Sequence, residues 1–415
     1  MTNSTPGRSA ATGTSDLLRL APWTEQIQPS PTFALDARAE ELRAKGVTLA
    51  KLGLGEPDFP TPEHVKAAAI AAIEEDFTRY TNTSGIVPLR QAIADRLRAD
   101  VGVSYEVAEI VVSVGGKHAL FNAIMTLCRP GDEVLLPVPY WVTYPEQVKL
   151  AGAVVVPVPS SAATGYKVTP EALAGCLSPR SRLLIVNSPN NPSGAVYSRA
   201  EQAALAAFCR EHDLWVITDE VYAAFNYTAE GHASIAAQPA MHERTVLVHA
   251  VSKAYGMTGW RLGYSAAPRP VAQAIGTLQG HVTSNPTSIA QKAAIAALSG
   301  PQEGLDAVRA EYRQRRDRLV AGVRRLKGLR CEPPDGAFYL WVDASDWCGR
   351  TLAGREIADA DDLATVLLEE AGVVVVPGTG FGDPTHLRLS FAAPPSELDT
   401  ALERMERLLG RAAGD

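Results

Sequence analysis

The sequence has few cysteines and no long apolar run, and these absences exclude several classes of protein. Its 415 residues include five cysteines, none of them two or three positions apart. The odd number and the wide spacing argue against a disulfide framework and a cysteine-based zinc site, and they predict a reducing, cytoplasmic environment. No apolar stretch approaches the roughly 20 residues that cross a bilayer, so we predict no membrane span.

The chain also has no surplus of basic residues. Lys and Arg number 39 against 46 for Asp and Glu, which gives a net charge of −7. This balance argues against nucleic acid as the main partner. Hydrophobic residues make up 46% and charged residues 20%, as in a folded globular chain. The length exceeds one ordinary hydrophobic core and predicts at least two domains.

The pattern along the chain predicts four segments. Residues 1–22 are rich in Ser, Thr, Gly and Ala, which predicts a disordered tail without a secretory signal. Residues 23–61 form an N-terminal arm and part of a small domain, with helical spacing from Leu35 to Lys45. Residues 62–300 form a large domain. From residue 301 to 415 a long Arg-rich helix and weaker strands predict the rest of a small α+β domain.

Within residues 62–300, continuous apolar strands alternate with amphipathic helices. We predict helices at 62–75, from the GGK segment to 127, and at 200–211, and strands at 109–114, 133–136, 154–158, 183–187, 214–218 and 246–249. This alternation predicts an α/β domain whose mainly parallel sheet is covered by helices on both faces.

Polar segments follow several of these strands. They are SVGGKHAL from Ser113, NSPNNPSGAV from Asn187, TDEVY from Thr218 and VSKAYGMTGWRLGY from Val251. Each could be an ordinary turn or surface charge, but open α/β sheets bind ligands at the carboxyl ends of their strands. The glycine pair before a helix suits an anion. It is neither G-x-G-x-x-G nor a Walker motif, which argues against nicotinamide and P-loop enzymes.

Taken in order, the motifs resemble those of pyridoxal-phosphate-dependent aminotransferases of class I, and within them the bacterial aspartate/prephenate branch. The resemblance runs from about Trp23 to Leu409 and rests on eleven segments: LGLGEPDFPTP, YTNTSGIVPLR, SVGGKHAL, PYWVTYPE, NSPNNPSGAV, TDEVY, VSKAYGMTGWRLGY, SNPTSIAQ, GAFY, VVPGTGFG and HLRLSF. It implies the fold-type I architecture: a mainly parallel seven-stranded sheet with helices on both faces, and a smaller α+β domain. It also implies pyridoxal 5'-phosphate as cofactor and a homodimer with shared active sites.

The resemblance assigns catalytic roles to matched positions. Lys253 would form an imine with the cofactor aldehyde and carry the proton between the substrate Cα and the cofactor. Asp219 would keep the pyridine nitrogen protonated, which strengthens the electron sink. Asn191 and Tyr222 would donate hydrogen bonds to the phenolic oxygen, and Trp141 would stack on the ring.

The same resemblance implies how the phosphate is held. Arg261 would bind it with the amides of the loop before the helix, where a guanidinium fork matches two phosphate oxygens. Tyr80 would reach it from the neighbouring subunit. The loop residues are Gly115, Gly116 and Lys117, and Ser252 joins them as a hydroxyl donor.

For the substrate, the resemblance implies that Arg388 grips the α-carboxylate bidentately and that Gly55 contributes a backbone contact. Trp141 and Asn191 also match substrate contacts. Lys117 and Thr32 match positions that recognise a side-chain carboxylate. This implies amino transfer between an L-amino acid and an oxo acid such as 2-oxoglutarate by a ping-pong cycle, with aspartate as the first choice of substrate and prephenate or aromatic amino acids after it.

The chain departs from the family pattern near the predicted imine lysine. Ala250 stands where some relatives have a phosphate-binding serine, and His249 and His118 are unusual at their positions. These departures leave open a β-lyase, an amino-acid cyclase or an oxidase that uses the same cofactor. A transcription regulator with an aminotransferase-like domain is disfavoured, because only about 22 residues precede the fold and a DNA-binding module needs more.

Overall fold

A computed structural model describes residues 20–27 and 31–411. The tail predicted for residues 1–22 therefore lies outside the described residues except at its end, where a short 3-10 helix spans Pro22–Glu25. In the described ranges no helix is long and apolar enough to cross a membrane.

The described chain alternates helices and strands. The helices are α1 Pro31–Ala44, α2 Glu63–Glu74, α3 Val87–Val101, α4 Gly116–Leu127, α5 Thr143–Leu150, α6 Pro170–Ala174, α7 Arg199–Glu211, α8 Val251–Ala254, α9 Arg269–Val282, α10 Ser288–Ser299, α11 Glu303–Val323, α12 Ala360–Ala371 and α13 Pro395–Arg411. The strands are β1 Ala50–Lys51, β2 Ile110–Ser113, β3 Glu133–Pro137, β4 Val154–Val158, β5 Ser181–Asn187, β6 Trp215–Asp219, β7 Thr245–Ala250, β8 Gly263–Ala266, β9 Arg330–Cys331, β10 Tyr339–Asp343, β11 Arg350–Leu352, β12 Arg355–Ile357, β13 Val373–Val374, β14 Val376–Pro377 and β15 His386–Ser390.

Seven strands form the central sheet in the order β2-β8-β7-β6-β5-β3-β4. From β7 to β4 all neighbours are parallel, whereas β8 is antiparallel to both β2 and β7. The mainly parallel α/β fold expected from the sequence is confirmed. Strand β8 was not among the predicted strands, because its residues GYSA contain no apolar run. Glycine is needed at Gly263, since a Cβ there would collide with the backbone of Gly116.

The parallel strands of the central sheet are continuous apolar runs in the sequence because both faces of the sheet are buried. In β7, Leu247 packs with residues of α3 and α10, while Val246 and Val248 face the opposite side with α4 and α5. Each side chain leaves water, which contributes roughly 1.5–3 kcal/mol for a large aliphatic group. The helices on the two faces hold the sheet rigid, so its polar strand ends have defined positions.

The C-terminal third forms a second core. Strands β14, β15, β10 and β9 make an antiparallel sheet that packs with α11, α12 and α13. The N-terminal segment joins it, because β1 pairs in parallel with β13. Helix α11 ends at Val323, earlier than the 327 predicted, and the turn into β9 passes through Gly328 at φ +74°. The domain boundaries at 61/62 and 300/301 remain a prediction.

Candidate active site

A cavity of about 440 Å³ opens at the carboxyl ends of β5, β6 and β7 and is closed on its other side by β15 and the segment after β1. Of the predicted site residues, all but three line it: Gly55, Gly116, Lys117, Trp141, Asn191, Asp219, Tyr222, Ser252, Lys253, Arg261 and Arg388. Gly115 lies directly beside it, against Arg261. The structure thus brings together residues from Gly55 to Arg388, which lie 333 positions apart in the chain.

One end of the cavity is built to hold an anion. Gly115 has φ +81°, and a Cβ at this position would overlap the guanidinium of Arg261, so only glycine fits. Helix α4 begins at Gly116, where its first backbone N–H groups are free of intrahelical partners. Arg261 itself is left-handed at φ 53°, and its Nη1 donates to the Thr258 carbonyl at 2.9 Å. Ala250 adds only a methyl group here and no hydroxyl.

Lys253 reaches across the cavity, and its Nζ donates to the Gly55 carbonyl at 2.5 Å. Burial lowers the pKa of this amine to about 8, and the positive charges of Arg388 and Arg261 act in the same direction. A lysine with an ordinary pKa of about 10.4 is almost fully protonated at neutral pH. At pH 7 to 8 a substantial share of Lys253 is therefore the neutral, nucleophilic amine.

Asp219 ends β6 with its side chain buried. Its Oδ2 accepts a hydrogen bond from Tyr144 Oη at 2.7 Å, and its Oδ1 accepts one from the Val221 N–H at 3.2 Å. Burial raises the pKa of this carboxyl to about 6, although both hydrogen bonds oppose the rise. Near neutral pH the group is ionised, and it is a buried negative charge that a cationic ligand nitrogen would stabilise.

Arg388, on β15, is held rigidly. Its Nη1 donates to Asn191 Oδ1 and its Nη2 to the Gly53 carbonyl, both at 3.0 Å. The guanidinium lies 4.4 Å from the ring centre of Tyr339 and 5.1 Å from that of Phe381. These contacts restrict the Arg388 guanidinium to one orientation. Burial strengthens the attraction between this guanidinium and a carboxylate.

Two further contacts shape the cavity. Tyr222 Oη and Tyr339 Oη are 2.8 Å apart, and burial raises the pKa of Tyr222 well above its usual range, so it remains a hydrogen-bond donor. On the opposite wall, Lys117 Nζ lies 4.9 Å from the ring centre of Trp141. Burial, and then the charge of Arg261, lowers the pKa of Lys117.

Not every predicted residue lies at the cavity. Tyr80 is 90% exposed and does not line the cavity of its own chain. Thr32 falls in α1, but its side chain lies outside the described residues. His249 stacks on Tyr264, and His118 accepts the Val114 N–H, so neither of the two unusual histidines lines this cavity.

Two tyrosines of the site were not recognised in the sequence. Tyr144 is the partner of Asp219, and Tyr339 contacts both Tyr222 and Arg388. Both lie inside quoted motifs, PYWVTYPE and GAFY. Position in a motif was the only available signal, because a buried tyrosine is usually a packing residue.

The cavity fits pyridoxal phosphate in each of its chemical parts. Gly115 and Gly116, at the start of α4, form a cradle that with Arg261 can bind the phosphate. The Asp219 carboxylate can pair with the ring nitrogen, and the Lys253 amine can bind the aldehyde. Tyr222 provides a hydroxyl donor for the phenolic oxygen.

Comparison with known proteins agrees with a cavity that fits pyridoxal phosphate. The sequence model of the family "Aminotransferase class I and II" matches residues 47–405. The aspartate aminotransferase of Geobacillus stearothermophilus is 43% identical over 94% of this chain and 99% of its own. An aspartate/prephenate aminotransferase of Cereibacter sphaeroides is 43% identical over 92% of this chain and 96% of its own. The aspartate aminotransferase structure from Rhizobium meliloti superimposes with a TM-score of 0.92 at 39% identity, covering 95% of this chain and 99% of that one.

Proposed function

This chain belongs to the class I and II aminotransferases and is a pyridoxal-phosphate-dependent aminotransferase, for which we propose aspartate as amino donor and 2-oxoglutarate as acceptor. The observation that carries the proposal is a pair of cationic side chains, Arg388 and Lys117, that line one cavity. A dicarboxylic amino acid offers a carboxylate to each. Among similar structures, the aspartate aminotransferase of Thermus thermophilus was solved with maleate, at 42% identity and a TM-score of 0.88 over 94% of this chain and all of that one.

The chain's own residues supply binding and proton transfer. When bound, pyridoxal phosphate supplies an aldehyde and an electron-withdrawing ring. Lys253, neutral in part because burial lowers its pKa to about 8, would hold the aldehyde end of the cofactor and would accept the proton from the substrate Cα. Asp219 would hold the ring nitrogen and favour its positively charged form.

Arg388 positions the substrate for this proton transfer. Its two bonds, to Asn191 and to the Gly53 carbonyl, fix the fork before substrate arrives, so little entropy is lost on binding. With the α-carboxylate held there, the Cα–H bond can be directed at Lys253. The bond from Arg388 uses the amide oxygen of Asn191, which leaves its Nδ2 group as the donor for a ligand.

Replacing Lys117 by alanine tests the choice of substrate. We expect kcat/KM for aspartate to fall about 30-fold, because a hydrogen bond to a charged group contributes roughly 1.5–3 kcal/mol. For alanine or phenylalanine as donor the change should stay within about threefold, since neither has a distal carboxylate. The measurement is steady-state kinetics with each donor at full cofactor occupancy.

Lys292→Ala is the matched control. Lys292 Nζ also lies over an aromatic ring, 4.7 Å from the centre of Phe77, but it is not at the cavity. It should leave the kinetics with every donor unchanged. Equal losses for aspartate and alanine in Lys117→Ala would show that this lysine serves the cofactor only, and the dicarboxylate specificity would then be wrong.

We also propose a cytoplasmic homodimer in which Tyr80 contacts the cofactor phosphate of the partner subunit. Tyr80 is the most exposed large hydrophobic side chain among the described residues, and nearby in the chain Ile70, Ile73 and Val87 are each more than half exposed. Such apolar exposure is typical of an interface. All five cysteines are free, which agrees with a reducing compartment.

Sedimentation velocity tests the dimer. The wild-type protein should sediment as a species of twice the 44.2 kDa mass of one chain. The Ile73→Glu variant should sediment more nearly as a monomer and should retain less cofactor. Tyr80→Phe, which removes only a hydroxyl, should stay dimeric yet bind the cofactor about tenfold more weakly, as expected for one charge-assisted hydrogen bond. A fully active wild-type monomer would contradict this arrangement.

The relatives named above give no support to a β-lyase, a cyclase or an oxidase. Prephenate as amino acceptor and aromatic amino acids as donors remain the second choice of substrate, and one of the relatives is named for prephenate as well as aspartate.

A further inference from the structure

Tyr144 is a buried residue whose hydroxyl donates a hydrogen bond to the carboxylate of Asp219. It is the second residue of α5 and is 1% exposed. Its Oη lies 2.7 Å from Asp219 Oδ2. The other carboxylate oxygen accepts from the Val221 N–H, so two donors on different elements hold the carboxylate plane.

In the contact between Tyr144 and Asp219, the tyrosine hydroxyl is the donor at every pH at which the enzyme works. Burial and the charge of Asp219 raise the pKa of Tyr144 well above its usual range, so its hydroxyl remains protonated. It therefore always donates, and it always favours the ionised form of Asp219. Burial acts against that form, because a carboxylate loses its hydration when it leaves water.

Tyr144 also contacts the cavity wall. Its ring meets that of Trp141 edge to face, with the centroids 5.5 Å apart. Trp141 lines the cavity directly, whereas the phenol hydroxyl is committed to Asp219. One side chain thus supports two cavity residues, the aromatic wall and the buried acid.

We propose that Tyr144 is a positioning residue that keeps Asp219 ionised and holds its carboxylate in the orientation that pairs with the cofactor ring nitrogen. The inference rests on the proposed function, because it requires pyridoxal phosphate in this cavity. It adds to that function a residue that acts on the cofactor through Asp219. Without the hydroxyl, Asp219 would take up a proton at higher pH, and a protonated Asp219 no longer offers a charge to the ring nitrogen.

Tyr144→Phe tests the proposal, because it removes one oxygen and creates no cavity in the packing. The dissociation constant of pyridoxal phosphate is measured against pH by equilibrium dialysis. We expect binding to weaken about fivefold at pH 6 and less than about twofold at pH 8.5, since a charge-assisted hydrogen bond shifts a carboxyl equilibrium by about tenfold. The acid limb of the binding curve should move to higher pH. In the loaded enzyme kcat should fall about tenfold with KM for aspartate unchanged.

Tyr227→Phe is the matched control. Tyr227 is also buried, and its Oη donates to the Ala337 carbonyl at 2.6 Å, away from the cavity. It should lower stability but leave the acid limb where it is. Superimposable acid limbs in wild type and Tyr144→Phe would overturn the inference alone. If the wild-type chain itself does not bind pyridoxal phosphate at any pH, the proposed function fails and this inference fails with it.

Discussion

Lys253→Ala should reduce kcat/KM for amino transfer at least about 10⁴-fold, because one substitution removes both the nucleophile and the proton carrier. The cavity should remain intact, since among the described residues the Lys253 side chain makes one hydrogen bond, to the Gly55 carbonyl. Pyridoxal phosphate should still bind through the cradle at Gly115, but without a covalent bond to the protein. Treatment with borohydride should then leave no cofactor on the denatured chain, whereas the wild-type chain should retain it.

The variant also separates catalysis from binding. Added methylamine should restore part of the activity, because a small free amine can enter the space left by the side chain. Lys167→Ala serves as control, since Lys167 pairs with Glu201 at 2.6 Å outside the cavity. An enzyme that keeps wild-type activity or its reducible cofactor bond after Lys253→Ala would assign the chemistry to another amine.

Asp219→Asn should lower kcat on the order of 10³-fold, the loss typical of removing one preorganised electrostatic contact to a transition state. An amide of the same shape keeps the packing but cannot hold a positive charge on the ring nitrogen. KM for aspartate should change little, because Arg388 and Lys117 remain. Asp343→Asn is the control: it breaks an ion pair with Arg330, neither of these residues lines the cavity, and kcat should be unchanged.

Although Asp219→Asn should lower kcat, it should raise the stability of the cofactor-free protein. Burial raises the pKa of Asp219 from 3.8 to about 6, so the folded state binds a proton that the unfolded state has already lost. Stability therefore falls as pH rises through this window, and above pH 6 the buried charge is a constant cost. At pH 8 the apoprotein of Asp219→Asn should melt at a higher temperature than wild type. A lower melting temperature would mean that Lys253 and the two hydrogen bonds more than offset the burial.

Local pattern predicted the strands that carry the site with small errors. Strand β4 has the predicted bounds, and β6 and β7 differ from prediction by one residue at their ends. The physical reason is that strands buried on both faces must be apolar along their whole length, and this is visible in any short window of sequence. The antiparallel β8 did not show such a run, because Gly263 must lack a side chain to pack against Gly116 and Ser265 is polar.

The polar motifs after the strands predicted which residues line the cavity, since the carboxyl ends of parallel strands lie at one edge of the sheet. The cavity indeed unites Lys253, Asp219 and Asn191 from three different strand ends. Assigning them to pyridoxal phosphate required the family resemblance, because no spacing rule connects a lysine at 253 with an arginine at 388. The contacts among them were not predictable at all.

By itself, the amino-acid order determined the parallel strands of the central sheet and the residues available to the cavity, because periodicity and turn chemistry act over a few neighbouring positions. Only the tertiary structure decided that Tyr144 donates to Asp219, that Asn191 supports Arg388, and that Lys253 is buried enough to lose its proton near pH 8. Hydrogen bonds and desolvation depend on ångström-scale distances between segments far apart in the chain, and those distances exist only once the two cores have packed.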